Sequence, residues 1–329
     1  MDRITIIGLG LIGGSLGLAL KKANIAGLEI VGYNRGAKSS LKARKMGAVD
    51  KLEWDIASAV KDASIVVIAV PPTAVKSIME AIAPHLPAGC IVTDVSSTKA
   101  QVMEWAREIL PSSVHFVGGH PMAGKETSGI VGADADLFQN TTYCVVPSLT
   151  APTEAVDAIV EITKLVGATH LFVDATEHDG FVAGISHLPM VLSSALVACT
   201  TNSPGWREMS RLASSGYRDV TRLASGNPTM GHDICVTNKD SICRWIDTLV
   251  EELQRFKSLI DQGGEQLTLE LERSQLARDK WLAGKPESSV AAIVKEHGST
   301  TETLMGFLVG QRLAKSMRGP RFDDQTQPK

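Results

Sequence analysis

Through the first half of the chain, short runs of apolar and often β-branched residues alternate with helix-length amphipathic stretches. Ile4–Ile7, Leu28–Tyr33, Ile65–Val70, Cys90–Asp94 and Val114–Val117 read as strands, being short, nearly continuous in apolar residues and bounded by turn formers. Between them, Leu41–Met46, Val75–Ile82 and Lys99–Leu110 carry apolar residues at helical spacing, so each strand can cross over to a parallel neighbour. Thr142–Pro147, Thr153–Val166 and His170–Val173 add a strand, a helix and a strand. The rhythm predicts an α/β unit with a doubly wound parallel sheet over residues 1–174. Beyond Asp174 the strand pattern stops, and Phe181–Thr200, Trp206–Leu212, Ser241–Gln262 and Glu265–Leu282 read as helices. Residues 175–284 are therefore expected to form an all-helical domain for substrate binding and dimerisation. Within it, His187–Thr200 is apolar on nearly every face. Such a helix belongs at the centre of a bundle or against a second subunit, and a homodimer is expected. Residues 285–329 hold Pro286, a Ser/Thr-rich patch and a basic Gln/Pro-rich end, and read as a tail with no assigned role.

Composition narrows the classes without choosing among them. A chain of 329 residues exceeds most single cores, and 44% hydrophobic with 21% charged residues is ordinary for a globular protein. The net charge of -3, with no basic stripe and no interleaved aromatics, argues against a nucleic-acid partner. Cys90, Cys144, Cys199, Cys235 and Cys243 show no CxxC pair and no zinc-ligand spacing. They read as buried free thiols in a reducing cytosol, with no metal expected and a cytoplasmic location. The apolar run Ile4–Leu20 is interrupted by Gly8, Gly10, Gly13, Gly14 and Gly17 and lacks a basic leader, so it reads as strand, turn and helix rather than a signal peptide.

That turn is the first candidate for chemistry. Gly8-Leu9-Gly10-Leu11-Ile12-Gly13 follows a strand and opens a helix, the context a Rossmann dinucleotide fingerprint requires. Gly8 permits the tight turn, Gly10 lets backbone approach a pyrophosphate, Gly13 lets helix pack on strand, and the N–H groups at Leu11 and Ile12 face the anion. Val70 and Pro71 at the end of the third strand, and Ser96 after the fourth, complete the expected cofactor contacts. Where NAD enzymes usually place an acid, this chain has Asn34-Arg35. Loss of that charge and gain of a guanidinium favour NADP, with NAD as the alternative.

Two further strand ends carry reactive side chains, Asp94-Val95-Ser96-Ser97-Thr98-Lys99 and Gly118-Gly119-His120-Pro121. Open α/β sheets bind ligands at such ends. Ser97 and His120 are the catalytic candidates, His120 as proton acceptor in a strand-end loop. In the helical domain His187 and Arg222 stand out; a buried guanidinium needs an anion, which a substrate carboxylate or Glu126 could supply.

Taken in order, GLGLIGGS, DVSSTK, GGHPMAGKETSG, ISHLP and SSGYRDVTRLASGNP resemble the prephenate/arogenate dehydrogenase family of tyrosine biosynthesis, from Met1 to about Trp281. The resemblance implies oxidative decarboxylation: hydride leaves the substrate's C4 for the nicotinamide while the ring carboxylate departs as carbon dioxide. It implies that His120 takes the C4 hydroxyl proton and that Ser97 hydrogen-bonds both that hydroxyl and the histidine. It also implies that His187 and Arg222 bind substrate and that Glu126 pairs with Arg222 and gates the site. Where some members carry Trp-Arg-Asp, this chain reads Met230-Gly231-His232-Asp233, which leaves prephenate and arogenate both open. A β-hydroxyacid or 6-phosphogluconate-type dehydrogenase is the rival enzyme, but its Gly-x-x-x-Lys-x-x-x-Asn helix is absent from Phe181–Pro189. A dinucleotide-sensing protein without turnover is the rival of another class, and it would have no need of His120, Ser97 or Arg222.

Overall fold

The computed structural model describes residues 2–125 and 127–284. An eight-stranded sheet runs β3-β2-β1-β4-β5-β6-β7-β8. Its strands are β1 (Asp2–Ile7), β2 (Leu28–Tyr33), β3 (Lys51–Leu52), β4 (Ile65–Ile68), β5 (Ile91–Asp94), β6 (His115–Pro121), β7 (Thr142–Pro147) and β8 (Thr169–Phe172). The first six follow the Rossmann order, with a switch point between β1 and β4 where neighbouring crossovers diverge. Helices α1 (Leu11–Lys22), α2 (Ala37–Lys45), α3 (Ile56–Val60), α4 (Pro72–Ile82), α5 (Ala100–Ile109) and α6 (Thr153–Leu165) belong to this half.

Strand β4 shows why the sheet is covered on both faces. Its four residues are all buried, yet Ile65 and Val67 pack into one apolar cluster with Ile4, Leu16 and Phe138, whereas Val66 and Ile68 pack into another with Val75 and Met79. Side chains that alternate with period two feed two cores, one under each helical layer.

The expected parallel sheet is present, and its far edge adds one departure. β7 pairs antiparallel with β6, and β8 then runs parallel to β7. Among the described residues, the connection 122–141 has no α-helix, only the 3₁₀ turn Ile130–Gly132, so nothing carries the chain back across the sheet. One correction follows. His120 lies within β6, opposite Cys144 of β7, and not in a loop.

The remaining elements are helical: α7 (Ala175–Val182), a π-helical turn (Ala183–His187), α8 (Leu188–Thr201), α9 (Trp206–Leu212), α10 (Ser215–Thr221), a 3₁₀ turn (Arg222–Ser225), α11 (Pro228–Thr237), α12 (Lys239–Gln262) and α13 (Glu265–Ala283). Asp174 caps α7 by accepting from the N–H groups of Thr176 and Glu177. Ala175–Thr201 is one helical run, long and apolar enough by length and composition to cross a membrane. His178, Asp179 and His187 within it are nevertheless buried in polar contacts, which lipid would not satisfy. Of the two settings expected for His187–Thr200, a bundle centre or a second subunit, the first is not found within one chain, since Ser193 is the buried residue of α8. The thiols also differ from expectation: all five are free, but Cys199 and Cys243 are exposed.

The two halves meet through side chains. Thr73 on α4 donates to Asp233 on α11 at 2.7 Å, and Thr98 is 2.9 Å from Thr237. The seam puts α11 and the π turn over the carboxyl ends of β1, β4, β5 and β6.

Candidate active site

A cleft of about 980 Å³ lies at this seam. On the sheet side it is lined by Gly10, Leu11, Ile12, Val70, Pro71, Ser96, Ser97 and His120, and on the helical side by His187, Met190 and Gly231 among others.

The glycine loop is shaped for a close ligand. Gly8 has φ +101°, and a Cβ there would stand 2.2 Å from the Ala69 carbonyl oxygen; at Gly13 it would stand 2.0 Å from the Gly8 oxygen. These two glycines are demanded by the turn and by helix packing. Gly10 is different, since a Cβ there meets nothing within 4 Å. Its missing side chain leaves open space on the cleft, above the N-terminus of a helix with no side-chain cap and no acid in its first turn. Such an end accepts the pyrophosphate of a dinucleotide. Ser96 points a buried hydroxyl with no partner into the same region.

At the end of β2, the Asn34 amide donates to Ser39 Oγ at 2.8 Å and to the Gly36 carbonyl at 3.3 Å, while Arg35 is exposed. This pair stands beside the fingerprint turn, where Gly8 N–H donates to the Tyr33 carbonyl.

The base is held by a buried network. Lys99 and Asp94, both without exposed side-chain surface, form an ion pair. Lys99 Nζ also donates to the Gly119 carbonyl at 2.6 Å, and Asp94 accepts from the N–H groups of Ser96 and Gly119. Burial pushes the Lys99 ammonium down, and Asp94 opposes it. The pair thus ties the end of β5 to the strand carrying His120. Gly119 makes the approach possible, because a Cβ there would lie 2.6 Å from the Asp94 carbonyl oxygen.

His120 Nδ1 lies 2.8 Å from His178 Nε2, and His178 Nδ1 lies 2.8 Å from Asp179 Oδ1. Ser97 lines the same cleft, but the expected hydrogen bond from Ser97 to His120 is not formed; the histidine uses Nδ1 for His178 instead. Burial pushes His120 well below the usual histidine range, with the nearby charges of His178, Lys99 and His187 acting the same way. A neutral imidazole with its other nitrogen on a cleft can accept a proton.

Across the cleft, His187 sits on the π-helical turn and is 2% exposed. Asn238 Nδ2 donates to the Asp179 carbonyl at 2.8 Å and lies 3.2 Å from His187 Nδ1. Nδ1 therefore accepts, and the neutral ring carries its proton on Nε2, a buried atom with no partner. Burial pushes His187 down to about 4. It is a built donor in want of an acceptor oxygen.

Arg222 requires a correction. It is exposed within this chain rather than buried, because it opens a single 3₁₀ turn whose next residues, Leu223 and Ala224, face the cleft. Glu126 lies outside the described residues. His178, Asp179 and Asn238 have no place in the sequence reading, and Asp94 and Lys99 appear there only as part of a strand end. The available signal is the adjacent Glu177-His178-Asp179, polar and charged at the head of an apolar helix.

A pyrophosphate cradle facing a buried neutral histidine defines a dinucleotide-dependent dehydrogenase. Family models match in two consecutive pieces, the prephenate dehydrogenase nucleotide-binding domain over residues 16–172 and the prephenate dehydrogenase dimerization domain over residues 174–273. The prephenate dehydrogenase of Bacillus subtilis (strain 168) is 36% identical over 263 residues, 79% of this chain and 71% of the relative. Among solved structures, Synechocystis arogenate dehydrogenase aligns at TM-score 0.74 and 30% identity, covering 85% of this chain and 99% of its own. The prephenate dehydrogenase from A. aeolicus, in complex with hydroxyphenyl propionate and NAD+, aligns at TM-score 0.80 and 26% identity, covering 85% and 98%. The chain belongs to the prephenate/arogenate dehydrogenase family.

Proposed function

We propose that this chain carries out the oxidative decarboxylation of prephenate or arogenate in tyrosine biosynthesis, with NADP preferred over NAD. The observation that carries the reading is His120, buried on β6 with Nε2 left to a cleft whose other wall presents the unpartnered His187 Nε2. The dinucleotide, when bound, supplies the hydride acceptor. His120 Nε2 takes the C4 hydroxyl proton as C4 becomes a carbonyl carbon. The bond from the ring to its carboxylate then breaks, carbon dioxide leaves, and the electron pair passes through the ring to the C4 oxygen, which takes the proton back from His120. Ser97 orients the hydroxyl, and His187 Nε2–H donates to a substrate oxygen. Arg222, on the turn that forms the rim, takes a carboxylate.

The division of labour follows the domain boundary at residue 174, with cofactor on one side and substrate held chiefly by residues 175–284. Apolar residues of the helical half that one chain leaves exposed, such as Leu192, Met209 and Leu212, support a homodimer through that half; the proposed location is the cytoplasm. Sedimentation at micromolar concentration should give a dimer, and a stable monomer would refute that assembly. The activity is tested by nicotinamide absorbance with prephenate or arogenate and each cofactor. One pair should reduce the cofactor with release of carbon dioxide; no change with any pair overturns the reading.

A further inference from the structure

The second nitrogen of His120 is engaged by the other domain. Asp179 sits on α7, the first helix of the helical half, and reaches across the seam to the start of α5. Its Oδ1 accepts the Lys99 N–H at 2.7 Å and its Oδ2 accepts the Ala100 N–H at 2.9 Å. With both oxygens acting as acceptors, the only partner His178 Nδ1 can offer at 2.8 Å is a proton. A neutral His178 then has a bare Nε2, and at 2.8 Å from it His120 Nδ1 must be the donor. A neutral His120 so bound has no proton left for Nε2. The opposite order would need protons on both ring nitrogens of His178, a state that a ring-nitrogen spectrum tells apart from this one.

We propose that Asp179 and His178 are positioning residues that fix His120 in the tautomer with its proton on Nδ1 and a bare Nε2 towards the cleft. The proposal rests on the reading of His120 as proton acceptor and deepens it. A free imidazole divides between two tautomers, and only one of them can accept at Nε2. The chain Asp179–His178–His120 selects that one before substrate arrives, and it keeps an acceptor on Nδ1–H once His120 becomes the cation. Because two of the three members come from α7, the base is competent only when the helical half is docked on the sheet. Asn238 extends the same control. It holds the Asp179 carbonyl and His187 Nδ1 with one amide group, so the proton acceptor and the proton donor of the cleft are set in opposite tautomers by one connected network.

The wild-type protein answers the structural question without substrate. Nitrogen NMR of its labelled histidine rings, with and without NADP, should find His120 protonated on Nδ1 and bare on Nε2 at neutral pH. A proton on His120 Nε2 overturns the proposal. The kinetic arm uses His178→Leu, which removes the acceptor, and His178→Gln, whose amide oxygen can accept from His120 Nδ1–H. The leucine variant should lose about 10²-fold or more in kcat, with cofactor Kd and substrate KM little changed, and the glutamine variant should recover part of the rate. Leucine turning over as fast as glutamine, or as fast as wild type, would reduce His178 to a packing residue. Failure of the wild type with both prephenate and arogenate would instead remove the proposed reaction, while the ring-nitrogen spectrum would still decide the tautomer.

Discussion

Around the carboxyl ends of β5 and β6, side chains place one another: Lys99 is held by Asp94 and Gly119, Asp94 by two backbone N–H groups, and His120 by His178. The wall formed by α8 to α11 is built differently. The buried apolar cluster behind it consists of Ala183 on the π turn, Ile234 on α11 and Ile242 on α12, while Leu192, Met209, Leu212, Val220, Leu223 and Met230 remain more than a third exposed. The sheet end is closed by its own packing, and the helical wall is more open. Chemistry that must be placed to within fractions of an ångström therefore sits where the packing is closed. The helical wall leaves apolar side chains exposed, the feature on which the proposed homodimer rests.

The largest expected effect tests the closed side. His120→Asn keeps an amide that can donate to His178 but has no nitrogen able to take a proton, so kcat should fall about 10²–10⁴-fold. Cofactor Kd and the circular dichroism spectrum should stay as in wild type. Near-normal turnover by the folded variant would remove His120 from the chemistry.

Next comes the ion pair. Lys99→Met leaves the Asp94 carboxylate buried with only backbone donors, and breaking such a pair costs about 3–5 kcal/mol. On the helical side, Arg218 and Asp219 are 3.8 Å apart and both well exposed, and Arg218→Ala should cost at most about 1 kcal/mol. Urea unfolding of the two variants measures the contrast directly. Equal losses would mean that the two regions do not differ as their burial says.

These same networks mark how far the sequence could be read. β2 and β7 are legible to the residue because β-branched runs are bounded by turn formers on both sides. β3, at two residues, is too short to leave a pattern. The end of β6 escaped notice because Gly-Gly-His-Pro has the composition of a loop, although Gly119 is there to let a strand pass close to Asp94 and Tyr143. His120 itself was legible from its motif; its partner was not. His178 is 58 residues away, and Asp179 meets Lys99 across 80, distances over which only the fold shows who meets whom. The exposure of Arg222 departs from expectation for a related reason: its motif suggests a carboxylate ligand, but its burial depends on a turn that no periodicity announces.

A smaller effect lies on the seam between the regions. His187 is held at about 4 when folded and returns to about 6.5 when unfolded. The unfolded chain thus binds more protons between these values, so this contribution to stability is complete above about pH 6.5 and is lost as pH falls towards 4. Its size is of order 3 kcal/mol. His120, displaced in the same direction, adds to the slope. Urea midpoints between pH 7 and pH 4.5 should fall in wild type and fall less in His187→Gln. Parallel slopes would mean that His187 reaches solvent and is not enclosed at the seam.

The smallest effect concerns the open end of β2, which lies outside the buried network. Asn34 is bound into its own turn by Ser39 and Gly36, so it adds no charge there, and the exposed Arg35 is free to swing towards a phosphate on the adenosine ribose. A charge-assisted bond of that kind is worth about 1.5–3 kcal/mol, or one to two decades in kcat/KM. NADP should therefore be used better than NAD. Arg35→Ala should remove most of the difference, and Asn34→Asp with Arg35→Ala should reverse it, because a carboxylate accepts from both ribose hydroxyls and repels a phosphate. High salt should weaken the wild-type preference, as expected for an exposed charge pair, and should leave the loss of activity in His120→Asn unchanged. Better use of NAD by the wild type would show that Arg35 stays in solvent and that the turn serves a neutral ribose.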